Sequence, residues 1–118
     1  MNKVNTMKIT TVANTETKPT PHKVDVKGLY SKEHAQVAHI LLKPGESLKR
    51  HITPVDVFFY ILEGEGVVEV GDEQETVGPN TLVESPAKIP HRLLNPGEKD
   101  FRVLVVKTPR PTETTRLL

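Results

Sequence analysis

The sequence predicts an all-β fold of the sandwich or barrel kind. Three observations carry this: the apolar runs are short, turn-forming residues recur between them, and helix signals are nearly absent. The chain has 118 residues, enough for one domain around one hydrophobic core. Residues 1–21 are polar, rich in Thr, Asn and Lys, and close on Pro19 and Pro21. With so little to bury, they read as a flexible arm. SKEHA at 31–35 offers a serine N-cap but is too short to sustain a helix. QVAHILL at 36–42 is the first clear strand, and Pro44-Gly45 ends it. VFFYIL at 57–62 is apolar at both parities, so both its faces should be covered. The barrel interior would cover one, and a second layer or a partner subunit the other. Gly64-Glu65-Gly66 then turns the chain into VVEV at 67–70. Gly71-Asp72 reads as a tight hairpin returning through ETV at 75–77. Gly78-Pro79-Asn80 and Asn95-Pro96-Gly97 mark later turns, and FRVLVV at 101–106 is the last strand. Pro109 and Pro111 forbid further ladder pairing. A barrel domain is therefore expected over 22–107, with a C-terminal tail over 108–118.

Composition excludes several classes. Sixteen basic and fifteen acidic residues are scattered along the chain, with no basic block to track a phosphate backbone, so nucleic acid is not an expected partner. The absence of cysteine excludes disulfides, thiolate metal sites and cysteine nucleophiles. No apolar run is long enough to cross a bilayer as a helix, and the N-terminus lacks a secretion-type apolar stretch. A cytoplasmic protein with no membrane partner is the expectation. No nucleophile elbow, phosphate loop or helical His-Glu-x-x-His is present.

Five histidines are the main candidates for chemistry. His22 and His34 lie in polar segments and receive no role. His51 and His91 each stand where a turn meets a strand, and Pro86 and Pro90 fix the approach to the latter. Rigid strand ends are where β-scaffolds present ligands and catalytic groups. His39 shares the parity of Val37 and Leu41, and Phe59 that of Val57 and Ile61. Both are candidate ligand contacts, with plain core packing as the competing reading.

These residues resemble the cupin family. Its first motif runs glycine, five residues, His-x-His, three or four residues, glutamate, six residues, glycine. Here Gly45, His51, Thr53, Val57 and Gly64 fill those positions. The second motif runs glycine, five residues, proline, one residue, glycine, two residues, histidine, three residues, asparagine. Asn80, Pro86, Lys88, His91 and Asn95 stand there. The resemblance implies a single-domain jelly-roll β-barrel. It also implies one divalent metal ion held by three histidines and a glutamate, of which this chain retains His51 and His91. Thr53 is a weak donor and Val57 none, while a catalytic iron site normally needs at least two histidines and a carboxylate.

Two functional classes follow. One is a small-molecule-binding barrel with an incomplete metal site, contacting its ligand through His39, His51, Phe59 and His91. The other is a metal-dependent enzyme of isomerase or dioxygenase type using His51, His91 and a substitute ligand from His39, Asp56 or Glu46. A homodimer is expected in either case, and Lys49, Arg50 and Arg92 beside the two histidines would favour an anionic ligand if they turn inward. Asn95 is expected to tie down the turn at Pro96-Gly97.

Overall fold

Two antiparallel five-stranded sheets face each other in the computed structural model, which describes residues 6–118 and shows no helix among them. The strands are β1 (Asp25–Lys32), β2 (Ala35–Leu42), β3 (His51–Ile52), β4 (Asp56–Glu63) and β5 (Gly66–Val70). They continue as β6 (Glu73–Val77), β7 (Leu82–Ser85), β8 (His91–Leu94), β9 (Phe101–Thr108) and β10 (Arg116–Leu117). One sheet has the order β1-β2-β9-β4-β7 and the other β10-β3-β8-β5-β6. No helix among the described residues is long and apolar enough to cross a membrane.

Alternation decides which side chains meet between the sheets. On β4, Val57, Phe59 and Ile61 are buried while Phe58, Tyr60 and Leu62 stay half-exposed. On β9, Phe101, Val103 and Val105 are buried while Arg102, Leu104 and Val106 are not. These inward rows join Leu42 and Leu93 in one core, and each fully buried large apolar side chain contributes about 1.5–3 kcal/mol.

Turn chemistry closes the strands as the residues require. Val70 pairs with Glu73, so Gly71-Asp72 is a two-residue hairpin loop, with Gly71 at φ 60°. At Gly64 (φ 80°) a Cβ would collide with the carbonyl oxygen of Asp100, so only glycine fits. Asn80 and Lys88, which stand where the motif has glycines, both take the left-handed conformation, at φ 65° and 67°. The backbone there takes the left-handed shape that glycine adopts freely, at a cost of roughly 1–2 kcal/mol for the lysine.

The chain ends return to the body of the molecule. Beyond Thr108, the tail comes back to the sheet, where Arg116 pairs with Ile52 and Leu117 with His51. The prolines interrupt the ladder without preventing this return. Near the start, the Lys18 N–H donates to the Val26 carbonyl at 2.7 Å, laying that segment along β1.

Candidate functional site

β3 and β8 bring the two motif histidines together. His51 and His91 are direct partners in that antiparallel ladder, so their side chains leave the same face. Both are buried, as is Thr53. The Nε2 atoms of the two imidazoles lie 3.0 Å apart, and Thr53 Oγ1 is 3.2 Å from His91 Nε2.

Partner chemistry fixes the protons. His51 Nδ1 is 2.7 Å from the Lys49 carbonyl oxygen, which only accepts, so Nδ1 carries the hydrogen. In the neutral ring Nε2 is then a bare acceptor, and His91 Nε2–H donates to it. His91 Nδ1 in turn accepts from the Ser85 hydroxyl at 2.7 Å. Thr53 Oγ1 accepts a share of the His91 Nε2 hydrogen, which leaves its own hydroxyl hydrogen free to donate. Burial, with the neighbouring charges of His51, Lys107 and His22, pushes His91 down to about 3, and burial likewise lowers His51. Both rings are therefore neutral at physiological pH.

The pair lies on the wall of a partly open, mainly apolar cavity of about 290 Å³, at the small end of ligand-binding sizes. Phe59 lines it and packs edge-on against His91, with ring centroids 5.2 Å apart. Val105, Ile40 and Leu48 form further apolar walls. His51, Phe59 and His91 thus share one cavity.

His39 does not join them. Alternation along β2 sends Gln36, Ala38 and Ile40 to the cavity and His39 to the outer face, where its Nε2 accepts from Arg102 Nε at 3.0 Å. The sequence showed its parity but not which parity faced inward. The other proposed substitute ligands are also placed elsewhere. Asp56 Oδ1 accepts the Ala87 N–H at 2.8 Å, and Glu46 Oε1 the Lys43 N–H at 2.7 Å. Arg92 pairs with Glu69 at 3.0 Å, and neither Lys49 nor Arg50 lines the cavity.

Two residues passed over in the sequence do line it. His22 stacks obliquely on His51, centroids 4.8 Å apart, and its Nδ1 accepts the Lys49 N–H at 2.8 Å. Its Nε2 is therefore the N–H donor, and burial together with His51, Lys49 and Lys107 lowers it to about 4. Lys107, at the end of β9, is the second. The buried parity Phe101, Val103, Val105 runs on to it, which is the signal that would have found it. The returning tail completes the wall with Thr114, Thr115 and, from β10, Leu117.

This donor set does not fit the divalent metal of the motif. The carboxylate position is a buried Val57, and no group of three or more His, Cys, Asp or Glu side chains among the described residues could hold an ion. Moreover, Lys107 is the direct ladder partner of Val57, so an ammonium shares the face on which the motif has its anionic ligand.

Comparisons with known proteins agree with the motif spacing. The sequence profile of the cupin domain matches residues 38–107. A crystal structure of a Thermus thermophilus protein aligns with a TM-score of 0.76 at 31% identity, covering 89% of this chain and 100% of that one. An uncharacterised protein of Methanocaldococcus jannaschii is 28% identical over 87 residues, which is 73% of this chain and 75% of that protein. The polyketide cyclase RemF of Streptomyces resistomycificus aligns with a TM-score of 0.82 at 20% identity, over 95% of this chain and 85% of that one. That likeness concerns the fold alone. With the family profile spanning the barrel from β2 to β9, the chain belongs to the cupin family and its two sheets form the all-β cupin jelly roll.

Proposed function

We propose that this cupin binds a small molecule in the cavity beside His51 and His91, through neutral hydrogen-bonding groups in place of a metal ion. One observation carries the reading: the chain from Ser85 through His91 and His51 to the Lys49 carbonyl is closed on itself, with every ring nitrogen partnered. Such a pair holds its geometry unaided and forms the polar wall of an apolar pocket, the usual composition of small-ligand sites. Metal analysis tests this on protein purified without chelator or affinity-tag nickel. Substoichiometric metal in wild type, unchanged in His51→Ala and His91→Ala, is the expected result. Stoichiometric metal lost in both variants would overturn the reading.

A metal-dependent enzyme of isomerase or dioxygenase type is the second reading, and one observation favours it. Both Nδ1 atoms are held, by Lys49 O and Ser85 Oγ, in the manner of the outer partners that orient metal-ligating histidines. The missing carboxylate and the adjacent ammonium weigh against it.

We also propose a homodimer through the outer face of the β1-β2-β9-β4-β7 sheet. Val37, Leu41, Phe58, Tyr60 and Leu104 lie there half-exposed, and Leu82 is 50% exposed. Contiguous apolar surface of this kind marks association faces. Sedimentation velocity at micromolar concentration should give a dimer; a monomer would exclude it.

A further inference from the structure

Among the described residues, Lys107 is the only charged side chain that lines the cavity, and no carboxylate shares its walls. Neither ion pair of the described residues involves it, and no side-chain hydrogen bond there engages its ammonium. A half-buried cation with no counter-charge is an unfavourable arrangement unless something supplies one. Its ladder partners are Val57 on β4 and Gln36 on β2, so it projects beside the place where the family motif has its carboxylate.

The polar groups beside the histidine pair offer donors. The Thr53 hydroxyl hydrogen is free, since its oxygen accepts from His91. His22 offers Nε2–H, because its Nδ1 accepts from Lys49. Lys107 donates only. Both ring nitrogens of His51 and of His91 are already used. Around the histidine pair, Thr53, His22 and Lys107 thus offer donors that match an acceptor-rich, negatively charged group, while Gln36 and the Thr20, Thr114 and Thr115 hydroxyls elsewhere on the wall can donate or accept. Val26, Ala38, Ile40, Leu48, Phe59 and Val105 give the cavity an apolar side that suits a hydrocarbon or aromatic body.

We propose that Lys107 takes the electrostatic place of the family's metal ion and that the cavity binds a small monocarboxylate. Its carboxylate meets the Lys107 ammonium, and its apolar body lies against Phe59, Ile40 and Val105. The proposal rests on the small-molecule reading above and adds the ligand class. It also accounts for Val57: without a metal, a glutamate at that position would neutralise Lys107 and compete with the ligand.

Isothermal titration calorimetry with benzoate and hexanoate, against benzyl alcohol and hexanol, tests it on the full chain near neutral pH. Wild type should bind each carboxylate about tenfold or more tighter than its alcohol, the scale of one charged hydrogen bond. Lys107→Met should erase that preference, and Lys107→Arg should keep most of it. Thermal denaturation first establishes that the variants fold, and Lys107→Gln replaces Lys107→Met if the latter does not. Alcohols binding wild type as tightly as carboxylates, or a preference surviving Lys107→Met, would overturn the carboxylate assignment and leave the pocket reading standing. Failure of both compound classes to bind wild type at millimolar concentration would overturn the pocket reading and this assignment together.

Discussion

Val57 and Lys107 stand directly opposite each other in the β4–β9 ladder, so the position that would carry an anionic metal ligand faces the same way as an ammonium. The two residues are chemically coherent. Removal of a carboxylate weakens a cation site, and placement of a lysine beside it supplies a fixed positive charge instead. Around them the family's geometry persists, including the paired histidines and the left-handed turns at Asn80 and Lys88.

Substitution at both positions should create a metal site. Val57→Glu combined with Lys107→Met places a carboxylate on the face shared with His51 and His91 and removes the competing cation. The double variant is expected to take up about one zinc ion per chain, since two imidazoles and a carboxylate form a known zinc donor set. Metal analysis after dialysis checks it; no more zinc than wild type would contradict the geometric account.

Stability should fall on mild acidification because of histidines rather than carboxylates. His22, His39, His51 and His91 are all held below the ordinary imidazole value of 6.5, burial being the main cause in each case. The unfolded chain therefore binds protons first as pH falls below about 6.5, while the folded state stays neutral until the lower values of about 4 and 3 at His22 and His91. The contribution is complete above pH 6.5 and is lost progressively toward those values. Urea unfolding between about pH 7 and 5, above the carboxylate range, should show a declining midpoint. A flat or rising midpoint would count against buried neutral imidazoles.

Asn95 should be worth more to stability than its turn position implies. Its Nδ2 donates to the carbonyls of Leu42 and Lys99 at 2.8 and 2.7 Å, and its Oδ1 accepts the Gly97 N–H at 3.1 Å. Asn95→Ala strands these partners in a buried setting and should cost about 2–4 kcal/mol, from 1–3 kcal/mol per unsatisfied buried group. Equilibrium denaturation measures it; a loss near zero would mean that water replaces the amide.

The fold and half of the site were legible in the sequence for different reasons. Motif spacing located His51, Thr53, Val57, His91 and Asn95, because a rigid barrel ties ligand positions to fixed turn lengths. Strand parity placed Phe59 inward correctly, since it follows Val57 and Ile61 along one strand. Parity failed for His39, because β2 carries apolar residues on both faces and only its neighbours decide which is inside. His22 was missed because its site depends on a hydrogen bond to Lys49, 27 residues away in sequence, which no local pattern announces. Lys107 was passed over as the end of a strand, although the inward alternation from Phe101 reaches it.

His51 and His91 hydrogen-bond to each other as neutral rings of opposite tautomer. Long-range proton–nitrogen NMR correlation of the histidine side chains, on protein purified without chelator or affinity-tag nickel, reads this directly. His51 should be protonated at Nδ1 and His91 at Nε2, with both spectra unchanged when zinc is added in small excess. Both rings protonated at Nδ1, with their Nε2 signals moving on zinc addition, would contradict it.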